Sequence, residues 1–127
     1  MKDSKGTAAT SNLYAVYRHN AETREYTFNI SKDVFLALTK QNCFYCGEPP
    51  SRVHSIQYGV KPDGSKYIGY YVYNGVDRYD NTIGYNEDNC VACCFDCNRA
   101  IGDRPPEEFL AWLIKCLEHF KIKPKGG

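Results

Sequence analysis

No stretch of this 127-residue chain is apolar over the length a bilayer requires, so a membrane-spanning helix is excluded and no membrane partner is expected. Charge of one sign is also missing. Sixteen Lys and Arg against fifteen Asp and Glu leave a net charge of +1, so polyanion binding requires charge sorted onto one face by the fold. Met1 is followed by Lys2-Asp3-Ser4-Lys5-Gly6 with no apolar core, so no secretory signal is expected and the expected location is cytoplasmic. Internal repeats and linkers are absent, which points to one domain. What is present suits a globular chain: 43% hydrophobic residues, 14% aromatic and 24% charged, enough for a modest core. The seven cysteines, in a chain without a secretory signal, read as metal ligands before disulfides.

Residues 1–11 are small and polar and are expected to be disordered; residues 12–121 form the domain, and 122–127 a frayed basic tail. Leu13, Val16, Tyr17 and Ala21 recur at helical spacing. Ser31 is a suitable N-cap for a second helix through Lys40, with Val34, Phe35 and Leu38 as its apolar stripe. A knuckle-like turn, Asn42-Cys43-Phe44-Tyr45-Cys46-Gly47, follows, and then two tyrosine-rich strands from Arg52 to Tyr73 around Lys61-Pro62-Asp63-Gly64. Val76-Asp77-Arg78 and Val91-Ala92 read as short strands, Cys94 to Ile101 as a short helix, and Pro105 to about Phe120 as a longer one.

Two Cys-x-x-Cys pairs bind zinc tetrahedrally, because a two-residue gap turns both sulfurs of one knuckle toward one ion. Cys43 and Cys46 are the first pair. For the second, Cys90/Cys93 and Cys94/Cys97 both have the spacing. Cys94 and Cys97 open a helix, whereas Cys90 and Cys93 flank a strand and point elsewhere, so Cys43, Cys46, Cys94 and Cys97 are assigned to zinc. Cys90, Cys93 and Cys116 are read as small packing thiols. A site closed by four sulfurs is structural, not catalytic.

The stretch from Gly75-Val76-Asp77-Arg78 through Asn89 to Cys94-Phe95-Asp96-Cys97-Asn98-Arg99 resembles the HNH nuclease motif, the ββα-metal fold. In that family a strand delivers an Asp and then a His, a loop carries a middle Asn, and a helix carries a His or Asn directly after a Cys-x-x-Cys. The matching positions are Asp77, Arg78, Asn89 and Asn98. The flanking pattern is similar to small phage-type HNH nucleases over nearly all of residues 13–120, and to rare-cutting Pac-type HNH restriction endonucleases from about Phe35 to Trp112.

The resemblance implies an α+β fold: a zinc-stapled ββα-metal core with flanking α-helices and a β-hairpin. It also implies a metal-dependent endonuclease that hydrolyses DNA. Asp77 and Asn98 would offer hard oxygen ligands to Mg²⁺ or Mn²⁺. Asn89 would pin the loop backbone. Arg78 departs from the family's His: a guanidinium accepts no proton, but it can clamp a phosphate oxygen. Tyr85, with its pKa lowered by metal and arginine, is the first candidate for the general base and His54 the second. Arg78 and Arg99 are the candidate DNA contacts, and a symmetric target would favour a homodimer. Arg78 in place of His also leaves open a catalytically inactive zinc module that binds DNA or protein.

Overall fold

Phe35, fully buried, is the residue around which the site-bearing elements assemble in the computed structural model, which describes residues 7–122. Along the chain these elements are α1 (Thr7–Thr23), β1 (Phe28–Asn29), α2 (Lys32–Thr39), β2 (Arg52–Val60), β3 (Lys66–Tyr73) and β4 (Gly75–Arg78). After them come β5 (Tyr85–Asn86), β6 (Cys90–Cys93), α3 (Phe95–Ile101) and α4 (Pro106–His119). The fold is α+β, with three two-stranded sheets: β1 parallel to β5, β2 antiparallel to β3, and β4 antiparallel to β6.

The helix starts have local causes. Ser31 caps α2, its hydroxyl accepting the Val34 N–H at 3.2 Å. Cys94 caps α3 with its sulfur, which accepts the Cys97 N–H at 3.4 Å. The first helix begins at Thr7, five residues before the expected start, so residues 7–11 are helical and not disordered. Thr7-Ala8-Ala9-Thr10-Ser11 carries no large apolar side chain, yet Ala9 is fully buried and Lys32 Nζ donates to Ser11 Oγ, which fixes this turn on α2. Ile122, assigned to the tail, donates its N–H to Leu117 O at 2.8 Å. The remaining expected terminal segments, 1–6 and 123–127, lie outside the described residues.

The core joins α1, α2 and the β4–β6 hairpin through Leu13, Ile30, Phe35, Tyr73, Val76 and Cys90. Tyr14 and Tyr17 set their rings 5.4 and 5.0 Å from Phe35, and Tyr14 donates its hydroxyl to Ile30 O at 2.8 Å. Gly75 is required where β4 passes under α1, because a Cβ there would lie 2.9 Å from the Tyr17 hydroxyl. Asn74, buried just before it, donates its amide to Gln41 O and Glu48 O at 2.9 and 3.1 Å, tying β4 to both ends of the first cysteine knuckle.

The β2–β3 ribbon pairs from Arg52↔Tyr73 to Val60↔Lys66, with one bulge between Gln57 and Gly59. Helix α4 buries Pro106 and Phe109 but exposes Leu110, Trp112, Leu113 and Ile114. Among the described residues no helix is long and apolar enough to cross a membrane.

Candidate metal centre and adjoining cleft

The first knuckle and the start of α3 bring four sulfurs together. Those of Cys43, Cys46, Cys94 and Cys97 all lie within 4.8 Å of one another, and the Cys46 and Cys94 sulfurs are 3.7 Å apart. Tetrahedral zinc with Zn–S bonds of about 2.3 Å sets its sulfurs about 3.8 Å apart, so the donor set fits the ion in chemistry and spacing. Burial opposes a thiolate at Cys43, but N–H donors from Cys94, Cys46 and Tyr45 outweigh it and pull its pKa to about 6. Burial, then the neighbouring sulfurs, pushes Cys97 up. Cys90 and Cys93 are buried on β6, and burial raises both, Cys90 to about 11.

Beside this cluster is a cleft of about 460 Å³. Antiparallel pairing sets Asp77 opposite Val91 on β6, and α3 follows directly, so β4 supplies Asp77 and Arg78 while α3 supplies Asn98. Asp77, Arg78, Tyr85 and Asn98 all line this cleft, so the structure brings these four predicted residues together. Asp77 is half-buried, and the hydrogen bond to its carboxylate comes from the Arg78 N–H at 2.9 Å. Burial holds its pKa above the ordinary value, against the Arg78 N–H and guanidinium. The Asn98 carboxamide is exposed and makes no hydrogen bond within the described residues. A desolvated carboxylate and an uncommitted carboxamide are both hard oxygen donors.

Arg78 is partly committed. Its guanidinium lies 3.7 Å from the centre of the Tyr26 ring, and Nη1 donates to Asn81 O at 2.8 Å and Ile83 O at 3.1 Å. Asn89 organises the same loop from below. Its Oδ1 accepts the Asp80 N–H at 2.9 Å, and its Nδ2 donates to Asp80 O and Gly84 O, each at 3.0 Å. Asn89 is buried and does not line the cleft. Gly84 is held so close to Thr27 that a Cβ would come 2.8 Å from the Thr27 carbonyl oxygen, and Tyr85 donates its N–H to that oxygen at 2.8 Å.

The two general-base candidates differ in setting. Burial raises the Tyr85 phenol, and Arg78, 5.7 Å from its ring, opposes this without overcoming it. His54 stands away from the cleft on β2, its Nε2 2.8 Å from Asn12 Oδ1 and its ring edge-on to Tyr73. Arg99 follows Asn98 on α3 but does not line the cleft.

Sequence reasoning missed Tyr45. It lines the cleft, and its buried hydroxyl has no hydrogen-bond partner among the described residues; burial, then the Asp77 charge, pushes its pKa up. The only sequence signal was its place inside the first Cys-x-x-Cys.

The solved structure of the rare-cutting HNH restriction endonuclease PacI aligns with 94% of this chain and 83% of that one, at a TM-score of 0.54 and 25% sequence identity. The chain has an HNH-type fold. That likeness supports nuclease function at the level of the fold. An uncharacterized protein of Acanthamoeba polyphaga mimivirus is 29% identical over 112 residues. The match covers 88% of this chain but 18% of the viral protein, so the chain spans less than a fifth of that relative's length. No protein-family model matches.

Proposed function

We propose that this HNH-fold protein is a metal-dependent endonuclease that hydrolyses phosphodiester bonds of DNA. The observation that carries the reading is that Asp77 and Asn98, whose carboxamide is uncommitted, line one arginine-bearing cleft beside a four-sulfur cluster. Asp77 and Asn98 would hold Mg²⁺ or Mn²⁺. When bound, that cation supplies charge on the scissile phosphate and lowers the pKa of water.

The chain's own groups divide the remaining work. Arg78, fixed on Tyr26 and the loop carbonyls, keeps its other N–H donors for the negative charge that develops on phosphate. Tyr45, whose buried hydroxyl has no partner among the described residues, stays protonated near Asp77; a phenol with a raised pKa donates a hydrogen bond and does not abstract a proton. Tyr85 acts the same way on a phosphate oxygen. Asn89 holds the loop that carries Arg78's anchors.

A second reading, a catalytically silent zinc module binding DNA or protein, is favoured by the commitment of Arg78 to two loop carbonyls. Plasmid nicking with Mg²⁺ or Mn²⁺ separates the two. Cutting that Asp77→Ala and Asn98→Ala each reduce by at least a hundredfold supports the nuclease. Absence of cutting with either metal, by a zinc-loaded folded protein, assigns it to the silent module.

A further inference from the structure

The arginines around the cleft differ in what they are already bound to. Arg24 lines the cleft with no side-chain hydrogen bond, ion pair or ring beside it among the described residues, and Arg18, outside the cleft, pairs with Glu22 at 3.4 Å. Arg78 is spent in part on Asn81 and Ile83, and Arg104 donates to the carbonyls of Ile101 and Ala100 at the end of α3. The side chains of Arg52 and Arg99 make no hydrogen bond or ion pair within the described residues, yet both are held. Their guanidinium carbons lie 4.5 and 5.3 Å from the centre of one ring, that of Phe95. Arg52 opens β2 and lines the cleft; Phe95 and Arg99 stand one turn apart on α3, and Asn98 directly precedes Arg99.

An aromatic platform does something a carboxylate partner would not. It fixes the plane of each guanidinium and leaves the positive charge and the in-plane N–H donors unspent. Asp96, the neighbouring acid on α3, pairs with neither arginine. The two guanidiniums are at most about 10 Å apart, the sum of the ring distances, which matches one or two steps along a nucleic-acid strand.

We propose that Arg52 and Arg99, mounted on Phe95, form a phosphate clamp at the rim of the cleft. It grips backbone phosphates of the cut strand next to the one held at Asp77 and Asn98. The clamp deepens the nuclease reading and rests on it for the identity of the strand. It carries no sequence information; it sets the register of the strand across the cleft.

The test is the salt dependence of binding to a linear DNA duplex, measured in the Asp77→Ala background so that no cutting intervenes. Each phosphate contact contributes about 0.9 to the slope of log K against log salt. Arg52→Ala and Arg99→Ala should each reduce the slope by about one and weaken binding about tenfold, and the double variant should reduce it by about two. Phe95→Leu keeps both charges, so the slope should stay while affinity falls. In the cutting protein, Arg52→Lys should raise KM more than it lowers kcat, since charge is kept but the stacked fork is lost. All variants should unfold thermally as the parent does. Cutting by the parent with slopes unchanged in the double variant overturns the clamp alone. Binding with the expected slopes but no metal-dependent cutting overturns the nuclease reading and leaves the clamp standing. No DNA binding at low salt overturns both.

Discussion

Replacing Asn89 by alanine removes a side chain that makes three hydrogen bonds of 2.9–3.0 Å to one short loop, two to the backbone of Asp80 and one to Gly84 O. A fourth approach, to Ile83 O at 3.5 Å, is too long to count. The methyl group left behind orphans one N–H and two carbonyls in a place where Asn89 itself is only 7% exposed. At about 1 kcal/mol net for each lost bond, the fold loses about 3 kcal/mol, a fall of about 10 °C in Tm. Thermal unfolding by circular dichroism, with zinc in constant excess, measures it. Asn89→Asp sharpens the test. It preserves volume and the acceptor for Asp80 N–H but turns a carboxylate toward two carbonyl oxygens, so near pH 7 it should be at least as destabilising as alanine. A loss under about 0.5 kcal/mol in both variants would refute the claim that this amide holds the loop. Because that loop supplies the carbonyls that orient Arg78, cutting should also fall in both.

Removal of zinc from the Cys43, Cys46, Cys94 and Cys97 cluster, where it would be held, should have a larger effect. Chelation should abolish the cooperative thermal transition, since such sites contribute on the order of 10 kcal/mol to folding. Cys43→Ala and Cys97→Ala should lose the single equivalent of zinc that Cys90→Ala and Cys116→Ala retain, as read by elemental analysis; an unchanged transition in chelator would refute the staple. Alkaline pH gives an independent check. Burial raises the Tyr17 phenol to about 12, whereas the unfolded value is 10.0. The stability this group contributes is therefore complete below pH 10 and is lost as pH rises from 10 toward 12, to a total of about 3 kcal/mol. Tyr17→Phe should flatten that decline, and an identical decline in both proteins would sink the assignment.

Much of the site was legible because its signals are local. The Ser31 cap, the Cys-x-x-Cys spacings and the short strand Val76-Asp77-Arg78 each depend on residues within one turn or strand, and each formed in the structure. What could not be read depends on long-range approach. Tyr26 to Ile30 alternates briefly, but nothing local names Tyr85–Asn86 as the parallel partner of Phe28–Asn29. The first turn of α1 has no apolar stripe, because its anchoring residue is an alanine. Burial raises the Tyr85 phenol, and burial is a property of the fold. Arg78 looked like a phosphate ligand, and only coordinates could reveal the loop carbonyls it serves.

Cys94 has two duties at one atom: its sulfur starts α3 and is also a corner of the four-sulfur cluster. The orientation of Asn98, four residues on, is therefore inherited from the staple with almost no intervening chain in which error could accumulate. Segments beyond Gly102 are relieved of that task. Yet at Asp103, Arg104 and Pro106 the chain returns to line the cleft, and Asp103 O accepts the Asn81 amide, so freedom for insertions begins only past the start of α4.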